Sequence, residues 1–223
     1  MRRAWRLATL LVVSVPAFAS AQSASLIDDP AGTTRWVSAR IRASRTGHAD
    51  LVSIPVAFAS LGWGCTCPGN YIGFSPDVAG DAWLDLDLGP GVSLPAYAPA
   101  AGTVMQLEGY FTGSVARFAG DGPTRYAVYT FVVTRLVAPH VSESPRLRVV
   151  RPGALTCTSA VTDPTPLHVH ARGGVRSEVI GDVPPGALVT IRDVRDAWLA
   201  LSAPTRGWVS AYEVTTTCTP VPP

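Results

Sequence analysis

Trp83-Leu84-Asp85-Leu86-Asp87-Leu88 alternates apolar and acidic side chains, with the leucines on one side and Trp83, Asp85 and Asp87 on the other. A two-residue period is that of a strand with one face against a core. The same period recurs upstream in Val52, Ile54, Val56 and Phe58, where Pro55 predicts an edge strand because proline has no N–H to give to a ladder. Downstream, Met105, Leu107 and Phe111 alternate with Gln106, Glu108 and Tyr110, and Gly109 between them predicts a bulge. Residues 126–137 are apolar on both faces apart from Thr and Arg, which predicts a central strand covered on two sides. Turns rich in Gly and Pro separate these runs, at 89–91, 99–102 and 120–123. Residues 26–42, with Asp28-Asp29-Pro30 and Gly32, predict a turn-rich lead-in, and no convincing 3.6-residue pattern stands between the strands. The expectation is an all-β chain whose N-terminal domain, residues 22–138, is a small β barrel or sandwich.

Composition agrees with short strands and many turns. The chain has 223 residues with 20 Gly and 20 Pro, too many for long helices. Its first 21 residues read as a signal peptide: Arg2, Arg3 and Arg6, an apolar run over 7–18, then Ala19-Ser20-Ala21 as a cleavage site. That run is shorter than the ~20 residues needed to span a bilayer, so no transmembrane segment is expected in the mature chain. Removing the signal leaves 15 basic residues, all Arg, against 16 acidic ones. The mild basicity of the whole chain therefore belongs to the leader. It gives no ground for nucleic-acid or membrane-surface binding. The expected location is periplasmic or extracellular.

Two resemblances follow from the residues. Gly102 through Gly113 (Gly-Thr-Val-Met-Gln-Leu-Glu-Gly-Tyr-Phe-Thr-Gly) looks like a strand pair of an OB-fold barrel. The second covers residues 155–218. Residues 139–154 lose the alternation and read as a linker, after which short strands are expected at 167–171, 178–181, 187–192, 198–201 and 207–210. Leu167-His168-Val169-His170, the loop Arg172-Gly173-Gly174, Val179-Ile180-Gly181, Pro185-Gly186-Ala187-Leu188-Val189, then Trp198, Arg206-Gly207-Trp208-Val209 and Tyr212 resemble the bacterial SH3-like (SH3b) family in order and spacing. The resemblance implies a small SH3-like barrel that binds cell-wall peptide, peptidoglycan or an envelope protein. Trp198, Tyr212, His168 and His170, near the barrel's loops, are the expected contacts, with Trp208 in the core. His170-Ala171-Arg172 departs from the family pattern, in which a basic residue directly follows the first strand. Residues 219–223 are left as a tail.

Four cysteines in an exported chain are disulfide candidates with three possible connectivities. Cys157 and Cys218 bracket the C-terminal barrel, so a bond between them would join its ends. Closing a loop of that length stabilises by about 4 kcal/mol in the chain-entropy model. Cys65 and Cys67 remain for each other, as a strained bond or as two thiols.

Several constellations have both a chemical and a plain reading. Cys65-Thr66-Cys67 would suit redox chemistry or a soft metal, yet it lacks the four-ligand set of a zinc site, and a structural loop explains it as well. Asp81, Asp85, Asp87 and Glu108 have the oxygens for Ca(II) or acid–base work, and they equally suit a solvated strand face. His168 and His170 point the same way from one strand, fit to bind metal or sense pH, or simply exposed. There is no Gly-x-Ser-x-Gly elbow and no P-loop lysine. No catalytic residue, metal site or cofactor is assigned. The expectation is a non-enzymatic binding protein of the envelope. Its alternatives are a thiol redox or metal protein centred on Cys65 and Cys67, and a structural component whose SH3-like module packs internally.

Overall fold

The protein is described from a computed structural model covering residues 30–58, 70–72, 82–95, 104–119, 125–141, 146–195 and 197–221. Among the described residues it is all-β apart from one helix, α1 (Pro30–Arg45), and a short 3-10 turn. The helix corrects the turn-rich lead-in expected over 26–42. Pro30 suits a first helical position, and Arg42 and Arg45 suit the C-terminal end. Its buried stripe mixes Val37 and Ile41 with Thr33, Ser44 and Arg45, which dilutes the hydrophobic period that would reveal it. Gly47, at φ 115°, then turns the chain into the sheet.

The N-terminal half contributes β1 (His48–Phe58), β2 (Asn70–Ile72), β3 (Trp83–Leu88), β4 (Val104–Ala119) and β5 (Arg125–Ala138). β1 pairs antiparallel with β4 along one side and with β2 at its far end; β2 pairs with β3, β3 runs parallel to β5, and β5 pairs with β4. β5 lies between β3 and β4, the central position expected, but it is not covered on both faces: Thr134, Arg135 and Val137 are exposed. β1 is not the edge strand that Pro55 suggested. Pro55 pairs with Gln106 of β4, while on the other side the pairings stop at Ser53 and resume at Val56. A residue without an N–H is accommodated in that gap. The register of β4 against β5 shifts between Glu108 and Gly109, the expected bulge. A Cβ on Gly109 would lie 2.0 Å from the Val132 carbonyl oxygen, so only glycine fits there.

β6 (Arg148–Val161) spans the junction expected at residues 154 and 155. Its first part pairs with β1, and its second part pairs with β12 (Val214–Pro220) and, at Ser159 and Ala160, with β9 (Leu188–Arg195). Much of the expected linker is therefore strand, shared by both halves. Thr219 and Pro220, expected in the tail, pair with Thr156 and Leu155. Beyond β6 come β7 (Leu167–His170), β8 (Val179–Val183), β10 (Trp198–Ala203), β11 (Gly207–Ser210) and the 3-10 turn Ala211–Glu213, close to the five strands read from the sequence. The path continues β9, β10, β11, β7, β8, and the sheet taken whole is not closed.

Two cores lie along this sheet. The first gathers Val37, Ile41, Ile54, Leu84, Leu107, Phe111, Tyr129 and Phe131. The second holds Leu167, Val169, Val183, Ile191, Leu199, Leu201, Val209 and Val214. Between them Cys157 and Cys218, paired in register and disulfide-bonded with Cα atoms 4.0 Å apart, pack with Ala49, Ala154 and Leu155.

Candidate functional site

Period-two alternation on β7 sends Leu167 and Val169 into the second core, each under 5 % exposed, and leaves His168 exposed and His170 half-buried. The pairing of β7 with β8 sets His168 opposite Asp182, and His168 Nδ1 lies 2.6 Å from an Asp182 carboxylate oxygen. His170 Nδ1 is 3.0 Å from the Ser177 carbonyl oxygen, and its ring meets Trp198 edge to face at 5.3 Å and 83°. Such pairs hold aromatic faces in defined orientations. Trp198 opens β10. A Cβ on Gly173 would come within 3.3 Å of the Trp198 ring, so the glycine loop lies close against it. Tyr212 stands on the 3-10 turn, 47 % exposed, and its backbone N–H donates to Ser210 Oγ at 3.3 Å.

These four side chains line one groove of about 420 Å³ together with Asp163, Thr165 and Glu213. The Asp163–Thr165 turn carries two hydrogen bonds: the Thr165 hydroxyl donates to Asp163 at 2.5 Å and the Thr165 N–H at 2.7 Å. They favour the carboxylate and hold the Asp163 pKa below its ordinary value. Sequence reading missed Asp163 and Glu213; the Asp-Pro-Thr turn signal was the only pointer to the first. The groove thus joins two aromatic rings, two imidazoles and two carboxylates at one end of the C-terminal half. Aromatic faces and carboxylates together suit a ligand with apolar surface and amine or amide donors.

Trp208 does not enter the core. It is half-buried, with the Arg195 guanidinium carbon 5.2 Å above its ring, because the second core is already filled by aliphatic side chains.

The remaining candidates stand apart. Cys65, Cys67 and Asp81 lie outside the described residues. Asp85 and Asp87 are exposed on β3, the solvated reading. Glu108, 9 % exposed, accepts a hydrogen bond from Arg135 at 2.8 Å and is a structural ion pair. No group of three or more metal-ligating side chains occurs among the described residues.

No family model, no curated protein and no solved structure matches this chain.

Proposed function

We propose that this is an exported binding protein of the cell envelope, whose C-terminal module is SH3-like and takes cell-wall peptide or peptidoglycan in the groove of His168, His170, Trp198 and Tyr212. One observation carries the reading: four residues chosen for their types and positions in the sequence line a single concavity. The Cys157–Cys218 bond, and a described structure without a helix long and apolar enough to cross a membrane, fit a chain exported to an oxidising compartment. The return of pairings from β1 through β2, β3, β5 and β4 to β1 supports reading the N-terminal half as a small OB-like barrel.

The internal-packing role has its own support. β6 belongs to both halves, and Arg42 of α1 bonds Asp193 at 2.6 Å and the Val194 carbonyl at 3.0 Å. The two roles are compatible, since the groove takes none of its lining residues from β6 and neither Arg42 nor Asp193 lines it.

Purified cell walls mixed with the mature protein and sedimented test the proposal. The protein is expected in the pellet, and Trp198→Ala with Tyr212→Ala is expected to release most of it. Wild-type protein wholly in the supernatant overturns the wall-binding reading.

A further inference from the structure

A second cleft, of about 500 Å³, opens where β12 and the 3-10 turn face the end of β3 and the middle of β4 and β5. Its walls come from both halves of the chain, and it shares only Tyr212 with the groove. At its floor is Arg45, the last residue of α1 and only 5 % exposed. The guanidinium reaches this position across Gly113, where a Cβ would stand 2.7 Å from Nη2 and 2.8 Å from Nε. Nη1 donates to the Val214 carbonyl at 2.6 Å and Nη2 to the Ala211 carbonyl at 3.4 Å.

Both acceptors are neutral. Among the described residues no carboxylate bonds Arg45, although a buried charge is costly without a counter-ion. The helix C-terminus offsets only part of that charge. Burial lowers the pKa to about 10, still far above neutrality, so the cation persists. A guanidinium carries five N–H donors, and these two carbonyls occupy two. Around it the cleft offers the half-buried hydroxyls of Thr112 and Thr130, neither of which hydrogen-bonds another described residue.

We infer that this cleft binds a small monocarboxylate, its oxygens accepting from the spare N–H groups of Arg45 and the hydroxyls of Thr112 and Thr130. The planar fork of a guanidinium matches a carboxylate in shape. One buried cation matches one negative charge, and the repulsion from Asp87 on the cleft wall, which acts on any anion, weighs most against a dianion such as phosphate.

The test is an NMR titration of the full mature chain, following the backbone amides of Thr112, Gly113, Thr130 and Thr217. The probes are N-acetylglycine, its neutral analogue N-acetylglycinamide, and inorganic phosphate. N-acetylglycine is expected to shift these amides saturably, with half-saturation on the order of 1–10 mM, as befits so small a ligand. The neutral amide is expected to bind about tenfold more weakly or not at all. Thr130→Val removes one hydroxyl at nearly constant volume, leaves the rest of the spectrum in place, and is expected to weaken binding about fivefold. Arg45→Lys keeps the charge but loses the fork, and is expected to weaken it further. Absence of a saturable shift, an equal response to the neutral amide, tighter binding of phosphate, or unchanged binding in Thr130→Val would each overturn the assignment.

Discussion

The two halves of the molecule use their aromatic residues in opposite ways. In the first core Phe111 and Phe131 are under 2 % exposed and meet edge to face at 4.9 Å, with Trp36 packed against Phe111. Among the described residues the second core holds no aromatic ring; Val, Leu, Ile and Ala fill it. Trp198, Trp208 and Tyr212 of that half stand partly in solvent. A small sheet whose aliphatic residues suffice for burial leaves its large rings available for contact with something else. Aromatic residues are therefore core architecture in the first half and partly solvent-facing in the second, which is where the proposed binding groove lies.

The largest way to break this contrast is Phe131→Ala. Removing a fully buried ring from a packed core costs about 3–5 kcal/mol, and guanidinium unfolding is expected to show that loss. Next is the double change Cys157→Ala with Cys218→Ala, which opens a loop of sequence separation 61 and costs about 4 kcal/mol in the chain-entropy model. It should lower the unfolding midpoint and leave the groove's residues in place. Gly109→Ala forces a Cβ against the Val132 carbonyl and is expected to cost about 1–3 kcal/mol by overpacking, measured the same way.

The smallest expected effect is a pH dependence at the contact between the halves. Burial pushes the Asp193 pKa up, but hydrogen bonds from Arg195 and the Val194 N–H, with the charges of Arg42 and Arg195, bring it below its ordinary value. A carboxyl whose folded pKa is lowered stabilises the fold above its unfolded pKa and loses that contribution as pH falls through the folded one. Asp193→Asn is therefore expected to reduce stability slightly at neutral pH and to flatten the acid limb of the unfolding midpoint. An unchanged acid limb would place the acid sensitivity elsewhere.

The strands were legible where one face is apolar and the other mostly polar, as at β3 and β7. The histidine pair could be read because β7 alternates without interruption. Its partners could not: Asp163 and Glu213 reach the groove through a turn and a 3-10 segment, for which no period exists to follow. α1 was hidden because Thr33, Ser44 and Arg45 occupy its buried stripe; Ser44 Oγ donates to the Phe111 carbonyl, and Arg45 donates to Val214. Polar residues that satisfy backbone acceptors on other strands look, in sequence, like solvent-facing ones. The strand that crosses residue 154 was hidden for a related reason. β6 is exposed through Gly153 apart from the half-buried Val149, and alternates buried and exposed residues only from Leu155 onward, so its early part shows none of the alternation that marks a half-buried strand.

Trp198→Ala, measured at once for unfolding midpoint and for retention on purified cell walls, tests the contrast most directly. The account predicts a stability loss of no more than about 1 kcal/mol, from one edge-to-face contact and partial burial, together with loss of most wall binding. A collapse in stability comparable to that of Phe131→Ala, with wall binding intact in the protein that remains folded, would contradict it.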